Sequence, residues 1–375
     1  MKIVAFGGWF GSGNVGDDAI LMGFNNLVKR ISPDCDVTAL STDPAQTRRV
    51  CGVPAVELVN PRSAFTRGVR YLSTMLSADA AVMTGGTPFY DWDHLSRLLY
   101  GSVPLILGMP LACFGVGSKA ISSLVGRKVS RLLLRHAARV SARDRASQAR
   151  LAELGGVKVS LTGDSALFLE PGPTDMGKKL IESVGIEAGR VAIVCPRALS
   201  TSHRIHYHDP LDEETVNTVR LGVARACDQL WASGFSVILV PLHRSRSDND
   251  LDEIREVLRL VEGPRPSVLD GPLKPTEAMS LLGEADVVVG LRLHSLILAA
   301  SMGTPAVSVG YDEKVGGFME LAGTKELLVE PGDLGAAAVR AAGDRDELGD
   351  LLRASCEEQR GRILLEARRL LEELG

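Results

Sequence analysis

The sequence predicts an α/β protein made of two Rossmann-like domains that face a cleft. At 375 residues the chain is too long for one ordinary core and suits two domains. Strand-like apolar runs alternate with segments of helical spacing, which favours βαβ units and parallel sheets. The composition agrees, because 45% of the residues are hydrophobic but only 5% are aromatic. Ligands are therefore expected at the carboxyl ends of the strands.

The first half carries the apolar runs of one sheet, separated by segments with helical spacing. The predicted strands are Lys2–Phe6, Asp36–Leu40, Ala80–Thr84, Leu105–Leu107 with Ala112–Phe114, Val140–Ala142 and Val157–Leu161. The predicted helices are Asp18–Ile31, Ala64–Leu76, Leu124–Ala137 and Arg145–Leu154.

Pro171-Gly172-Pro173 marks the domain boundary, because two prolines around a glycine stop both helix and strand. We therefore divide the chain into residues 1–172 and residues 173–375. The second series of predicted strands is Val191–Cys195, Ser236–Pro241, Ser267–Leu269, Ala285–Gly290 and Ala306–Val309. The tail from Asp344 to Gly375 predicts terminal helices, and a return of one of them to the first domain is an open alternative.

Charge and cysteine usage exclude several classes of protein. The net charge of −4 provides no global basic field, so nucleic acid is not expected as a partner. The six cysteines are scattered without a C-x-x-C pair, which is typical of buried thiols in a reducing compartment. Residues 1–8 indicate a first strand rather than a signal peptide, and no apolar run reaches the ~18 residues that cross a bilayer. A soluble, cytoplasmic protein is expected.

The first chemical motif is the segment GGWFGSGNVGDD at residues 7–18, which leaves a strand and enters a helix. Its glycines let backbone amides approach an anion or a sugar. A G-x-G-x-x-G pattern is present, but two carboxylates stand where a pyrophosphate needs amides, which argues against NAD. Asn14 and Asp17 are predicted to face the ligand, with Asp17 as a helix N-cap; turn and capping roles alone are the alternative.

The second motif is DVVVGLRLHS at residues 286–295, followed by a predicted helix at Leu296–Ser301. A buried strand ends at Gly290, so Arg292 and His294 arrive at the carboxyl edge of a sheet just before a helix start. Three other strands of this half deliver Arg197, His243 and Lys314 at the same edge. Together these residues predict an anion pocket.

These motifs, with Arg143-Asp144, Ser147 and Thr162-Gly163-Asp164, resemble the polysaccharide pyruvyltransferase family over about residues 3–325. The most specific element is Gly290–Ser295 with the Tyr-x-x-Lys that ends at Lys314. The resemblance implies a glycosyltransferase-B-like fold and phosphoenolpyruvate as co-substrate, with no metal or other cofactor. It implies a cell-envelope polysaccharide role, in which the acceptor is a sugar or glycan and a lipid-linked acceptor is one of the open forms.

The resemblance also implies roles for individual residues. The donor's phosphate and carboxylate would be held by Arg197, Arg292, His294 and Lys314, with Ser295 beside them, and the acceptor would bind to the first domain. The acceptor set comprises Asn14, Gly85, Gly86, Tyr90 and Trp92, whose aromatic members stack on a sugar or pack over the cleft. This sequence departs from the family pattern at residues 84–92, TGGTPFYDW, where a third glycine and a Gln-Asp pair are common.

Ketal formation from phosphoenolpyruvate needs an acid for the vinyl carbon and a base for the acceptor hydroxyl. A histidine serves both purposes near neutral pH, and His294 is the leading candidate. The base is either His243 or Asp17, and the residue pattern does not separate them. His203, His206 and His208 are interpreted as part of a loop over the cleft rather than as a metal site.

Two other functions and one surface remain as alternatives. A nucleotide-sugar glycosyltransferase of the same fold would use Asp312 or Glu313 for a ribose, and a non-catalytic anion-binding protein is the third hypothesis. A basic row on a predicted helix is interpreted as a solvated face, and the alternative is peripheral contact with the inner face of the membrane. The row comprises Arg127, Lys128, Arg131, Arg135 and Arg139. The oligomeric state is left open.

Overall fold

The computed structural model describes residues 1–58, 65–91, 101–187, 189–199, 211–245 and 248–375. The chain forms two compact units. The first comprises Met1–Ser12, Asp17–Leu169 and Glu358–Gly375, and the second comprises Gly13–Gly16 and Glu170–Glu357. The two units divide between Leu169 and Glu170, close to the Pro-Gly-Pro segment used to divide the sequence.

The first unit contains a seven-stranded parallel sheet in the order β3-β2-β1-β4-β5-β6-β7. The strand order reverses between β1 and β4, which is the switch point where Rossmann-like sheets bind ligands. The strands are β1 (Lys2–Gly7), β2 (Asp36–Ser41), β3 (Ala55–Glu57), β4 (Ala80–Thr84), β5 (Leu111–Val116), β6 (Arg139–Ala142) and β7 (Ser160–Leu161).

Helices between the strands cover this sheet. They are α1 (Val15–Ile31), α2 (Pro44–Cys51), α3 (Phe65–Leu76), α4 (residues 101–106), α5 (Leu124–His136) and α6 (Arg145–Gly155), with a 3-10 turn at Ser165–Phe168. Capping sets their ends: Asp144 accepts the Ser147 N–H at the start of α6, and Gly156 ends it in the left-handed region. The apolar stripes of α5 and α6 pack on the buried strands through Leu133, Leu134 and Leu151.

Most predicted strands of the first half are confirmed, but Leu105–Leu107 is wrong as a strand. Residues 101–106 are helical, because Val103 and Leu105 pack on the core while Ile106 is 80% exposed. A run of three aliphatic residues between Pro104 and Gly108 fits a short strand and one helical turn equally well. Strand β7 is also shorter than the predicted Val157–Leu161, because it lies at the edge of the sheet and pairs only with β6.

The second unit contains a six-stranded parallel sheet in the order β10-β9-β8-β11-β12-β13, with its switch point between β8 and β11. Branched aliphatic residues fill its central strands, as expected where helices bury both faces. The strands are β8 (Arg190–Cys195), β9 (Phe235–Leu239), β10 (Ser267–Val268), β11 (Val287–Gly290), β12 (Ala306–Val309) and β13 (Leu328–Val329).

The helices of the second unit are α7 (Met176–Glu182), α8 (Glu213–Ala232), α9 (Asp250–Leu260), α10 (Pro275–Glu284), α11 (Leu293–Met302), α12 (Glu313–Ala322) and α13 (Leu334–Gly343). Short 3-10 turns occupy Lys325–Leu327 and Pro331–Asp333. None of the helices in the described part of the chain is long and apolar enough to cross a bilayer. All six cysteines are buried.

The last helix, α14 (Arg345–Leu374), begins in the second unit and ends in the first. Residues 358–375 therefore group with the first unit, whereas the sequence division placed them in the second. The physical reason is local packing: Ile363 lies beside Gly163, and Arg139 forms ion pairs with Glu366 at 3.0 Å and Glu373 at 2.8 Å.

Candidate functional site

Four strands of the second unit end at one edge of its sheet, and each is followed by a predicted site residue. Arg197 follows β8, His243 follows β9, Arg292 follows β11 and Lys314 follows β12. Parallel strands present their carboxyl ends together, so the topology brings these residues to one edge. Hydrogen bonds and ion pairs then join them through three aspartates.

His243 and Asp248 form a buried dyad at this edge. The Nδ1 of His243 lies 2.9 Å from Oδ2 of Asp248, and both side chains are about 95% buried. Nε2 of His243 is buried and has no hydrogen-bond partner among the described residues. An imidazole that donates from Nδ1 to a carboxylate presents Nε2 as an acceptor, which is the arrangement of a general base.

Arg292 is held between two carboxylates rather than being open to a ligand. Its Nε lies 2.9 Å from Asp250, and its Nη2 lies 2.6 Å from Asp248 and 2.5 Å from Asp250. With the Nη1 contact to Asp248 at 3.2 Å, four of its N–H groups are engaged. Burial alone would raise the pKa of Asp248, but the charge of Arg292 and the hydrogen bond from His243 hold it well below its usual range.

Asp250 connects this pair to the strand ends. Its Oδ2 accepts the backbone N–H groups of Leu242 at 3.1 Å and His243 at 2.9 Å, and its Oδ1 accepts that of Ala198 at 3.3 Å. Asp250 is fully buried as the first residue of α9. It therefore fixes the loops after β8 and β9 while neutralising Arg292.

The remaining cations share Asp312. Nη1 of Arg197 lies 3.5 Å from Oδ2 of Asp312 and donates to the Tyr311 hydroxyl at 2.9 Å. Nζ of Lys314 lies 3.2 Å from the same Oδ2. The Tyr311 hydroxyl donates in turn to the Leu291 carbonyl, so the ends of β8, β11 and β12 are linked. Lys314 is the most exposed of the three predicted cations, since its side chain is 21% exposed against 2% for Arg197.

His294 and Ser295 lie in the first turn of α11, because the helix begins at Leu293 rather than at the predicted Leu296. Arg292 takes the N-cap position, which lets the Ser295 hydroxyl donate to the Arg292 carbonyl. Ser295 is fully buried and packs beneath Gly290. Its hydroxyl stabilises the first turn of α11, and its side chain is not exposed to solvent.

Residues 13–16 pack against the loop after β9 within the second unit. The Arg244 N–H donates to the Gly13 carbonyl at 3.1 Å, and the Val15 N–H donates to the Leu242 carbonyl at 3.0 Å. Asn14 pairs with His243 in an isolated antiparallel bridge, and its Oδ1 accepts the Gly16 N–H at 3.0 Å. Asn14 thus takes the capping role predicted for Asp17, because α1 begins at Val15, three residues before the predicted start at Asp18.

In the first unit, Asp17 lies beside the paired glycines after β4. Gly85 and Gly86 have φ of +93° and +56°, and a Cβ on Gly86 would meet Oδ1 of Asp17 at 3.2 Å. Both positions therefore require glycine, for backbone conformation and for space. Tyr90 is half-buried near this turn, and Trp92 lies outside the described residues, as do His203, His206 and His208.

Arg143 is a buried cation of the first unit that the site prediction omitted. Its Nη2 donates to Thr87 at 3.1 Å, and its Nη1 lies 3.5 Å from Asp164. The Arg143 guanidinium also lies against Gly117: a Cβ at Gly117 would lie only 2.9 Å from Nη2 of Arg143. Arg143 could have been found from the sequence, because it follows the end of β6 in the same way that Arg197 and Arg292 follow strands of the second unit.

Asp18 is a second omission and serves the loop rather than a ligand. Its Oδ1 accepts the Gly11 N–H at 3.0 Å while its side chain is almost fully buried. The pKa of this carboxyl is raised to about 7, chiefly by burial and also by the charge of Asp17. The hydrogen bond from Gly11 offsets part of this rise. Asp18 therefore titrates near neutral pH.

Asp248 and Asp250 were also missed, and they change the electrostatics of the site. Each predicted donor-binding cation is paired with a carboxylate, so this edge is a network of alternating charges rather than a bare positive pocket. The segment DND at residues 248–250 was the available signal, since it precedes a helix and follows His243 by five residues. In the described part of the chain, no group of three or more His, Cys, Asp or Glu side chains is arranged to hold a metal ion.

The family model for polysaccharide pyruvyl transferases matches residues 14–313 of this chain. Solved structures share its two-sheet architecture. HepE of Anabaena, solved with UDP, is 15% identical with a TM-score of 0.61, over 100% of this chain and 99% of that chain. A glycosyltransferase from Rickettsia africae is 14% identical with a TM-score of 0.60, over 100% and 98% of the two chains.

A third solved structure, the UDP-GlcNAc 2-epimerase of Methanocaldococcus jannaschii, is 12% identical with a TM-score of 0.60, over 92% of each chain. At these identities the likeness concerns the fold, which is that of two Rossmann-like domains as predicted from the sequence.

Proposed function

Because the chain belongs to the polysaccharide pyruvyl transferase family, we propose that it moves a pyruvyl group from phosphoenolpyruvate to two hydroxyls of a sugar or glycan. The observation that carries the donor assignment is the cluster of Arg197, Lys314, His243 and His294 at the carboxyl edge of one sheet. Phosphoenolpyruvate is small and highly anionic, and such a donor demands fixed cations beside titratable groups.

Lys314 and Arg197 are the proposed contacts to the donor. Lys314 is the most exposed of the cations, and Nε of Arg197 has no hydrogen-bond partner among the described residues. Cations aimed at the departing phosphate stabilise charge as it develops. Arg292 supports the site indirectly, because its contacts hold Asp248 ionised beside His243.

The proposed chemistry separates two proton transfers. His294 gives a proton to the methylene carbon of the donor, and the first acceptor hydroxyl attacks the central carbon after losing its proton to Nε2 of His243. The second hydroxyl then attacks the same carbon, and phosphate leaves with the electrons of the carbon–oxygen bond. The proton of the second hydroxyl is transferred to the leaving phosphate. The Asp248 contact supports His243 over Asp17 as the base, because it orients the imidazole.

Calorimetric titration with phosphoenolpyruvate tests the donor. Saturable binding is expected for the wild type, with a Kd at least ~10-fold higher for Lys314→Ala because a charge-assisted contact is lost. Lys325→Ala is the matched control, since Lys325 is an exposed lysine of the same unit. Release of phosphate on adding a sugar diol would then identify the acceptor. Absence of phosphoenolpyruvate binding, with binding of a UDP- or GDP-sugar, would reject the proposal.

A second candidate function, transfer from a nucleotide sugar, is favoured by a cavity of about 480 Å³ in the second unit. Its carboxylates suit the hydroxyls of a ribose or hexose. Asp312 is less suited to a ribose than the sequence implied, because Arg197 and Lys314 engage it. The cavity is lined by Asp212, Glu214, Thr215, Thr218, Val219, Val309, Gly310, Tyr311, Glu330 and Pro331. Weaker UDP-sugar binding by Glu330→Gln would support this function.

A further inference from the structure

The outer face of α5 combines exposed aliphatic side chains with basic ones. Leu124 is 76% exposed, Val125 is 62% exposed and Leu132 is 41% exposed. Four exposed cations share this face, and the helix Leu124–His136 contains no acidic residue. We call this set the α5 face; it consists of Leu124, Val125, Arg127, Lys128, Arg131, Leu132 and Arg135.

The opposite side of α5 anchors the helix in the first unit. Val129, Leu133 and Leu134 belong to the core of that unit. Two cations of the α5 face also reach α6: Nε of Arg131 donates to the Leu154 carbonyl at 3.0 Å, and Nε of Arg135 donates to the Gly155 carbonyl at 3.0 Å. These contacts satisfy the end of α6 and fix α5 in place. The aliphatic side chains of the α5 face therefore contribute nothing to the core and are displayed on a rigid element.

The charge of the α5 face is local. The whole chain has a net charge of −4, so no general field attracts anions. Arg127 and Lys128 form no ion pair with the residues that the structure describes. The end of α6 adds exposed Lys158 and Glu153, whose charges cancel. The α5 face can thus attract an anionic surface although the chain as a whole has a net negative charge.

We propose that the α5 face docks on an anionic lipid bilayer. Lysine and arginine pair with lipid phosphates while Leu124, Val125 and Leu132 enter the boundary between headgroups and acyl chains. The helix is ~20 Å long, which suits a helix lying in the interface and is too short to span it. On α4, which meets α5 at Leu133, Ile106 is a further exposed aliphatic side chain, with 80% exposure.

The composition of the face separates a bilayer from a nucleic acid. Single-stranded nucleic acid is held by aromatic stacking and by polar side chains that read base edges. The α5 face carries aliphatic side chains and no aromatic ones, which favours lipid. The proposal is independent of the transfer reaction, because it rests on the surface of the first unit and its test measures binding.

Vesicle co-sedimentation of the full-length protein tests the proposal. Binding is expected to phosphatidylcholine vesicles that contain about one third phosphatidylglycerol, with little binding to pure phosphatidylcholine and a loss of binding at high salt. The double variant Arg127→Glu/Lys128→Glu should partition at least ~10-fold more weakly. The control Arg368→Glu/Arg369→Glu changes the net charge equally on exposed positions of α14 in the same unit and should bind like the wild type.

Tryptophan fluorescence tests the aliphatic part. Leu124→Trp should shift its emission to shorter wavelength on adding anionic vesicles, because the indole enters the acyl boundary. Leu365→Trp, at a position that is 52% exposed on α14, should not shift. The proposal is overturned by no binding to anionic vesicles, by equal loss in both charge variants, or by preference for single-stranded RNA over vesicles. An unshifted Leu124→Trp emission on bound vesicles also overturns it.

Discussion

Gly16 lies directly against the imidazole of His294. A Cβ at this position would lie 2.1 Å from Nδ1 and 2.5 Å from Cγ of the ring, closer than any real contact. Gly16 and the first turn of α11 thus meet within the second unit, and the glycine leaves room for the histidine proposed as the proton donor. This contact explains why a glycine stands two residues after Asn14, where φ is not left-handed and conformation alone demands none.

Gly16→Ala should therefore displace His294 and lower kcat/KM by ~10²-fold, since misplacing a catalytic group by about 1 Å has an effect of that size. Alanine also favours the helix, so the melting temperature should fall little. Steady-state kinetics and thermal melting measure both. Gly361→Ala is the control, because nothing lies within 4 Å of a Cβ at Gly361. Wild-type kcat/KM in Gly16→Ala would exclude His294 from the reaction.

Asp248→Asn should lower kcat by ~10²- to 10⁴-fold, because an amide no longer selects the imidazole tautomer with a proton on Nδ1. The pH profile of kcat is the decisive measurement. Its acidic limb, which reports protonation of the base, should disappear in His243→Gln at a low residual rate. Asp252→Asn on α9 is the control, because Asp252 is exposed. If His243→Gln retained the wild-type acidic limb, another group would be the base.

Arg292→Ala should lower the free energy of unfolding by about 3–5 kcal/mol, because it leaves Asp248 and Asp250 buried without their counter-charge. Adding Asp250→Asn should restore part of the loss, and urea unfolding of the single and double variants measures the coupling. Arg255→Ala, which removes an exposed pair within α9, should change stability by less than about 0.5 kcal/mol. A small effect of Arg292→Ala would mean that solvent reaches both carboxylates.

Asp18→Asn should change the pH dependence of stability. The folded protein holds the Asp18 proton more tightly than the unfolded chain, since burial raises its pKa from 3.8 to about 7. The stability that Asp18 contributes is therefore complete below the unfolded pKa and is lost as the pH rises to about 7, by up to about 4 kcal/mol. The stability of the variant relative to the wild type should therefore rise between pH ~4 and ~7 in urea unfolding. Asp34→Asn, at an exposed carboxyl, should show no such trend.

The sequence predicted the strand ends of the second unit because each buried aliphatic run stops at a polar residue. Arg197, His243 and Arg292 could be found in this way, and so could the two parallel sheets. The pairing of Arg292 with Asp248 and Asp250 could not be found, because contacts across more than 40 residues leave no local pattern. The predicted start of α11 was also wrong. Its N-cap is Arg292, which makes no capping hydrogen bond through its side chain and is not one of the residue types that indicate an N-cap in a sequence.

The path of α14 has a consequence for synthesis on the ribosome. The closing residues Glu358–Gly375 complete the first unit, where Ile363 rests on Gly163 and Glu366 meets Arg139. After Leu169 has been translated, Glu170–Glu357 of the second unit must follow before those residues exist. At ~5–20 residues per second, that interval is on the order of 10–40 s. During translation the nascent first unit therefore stays incomplete until Glu358–Gly375 have been synthesised.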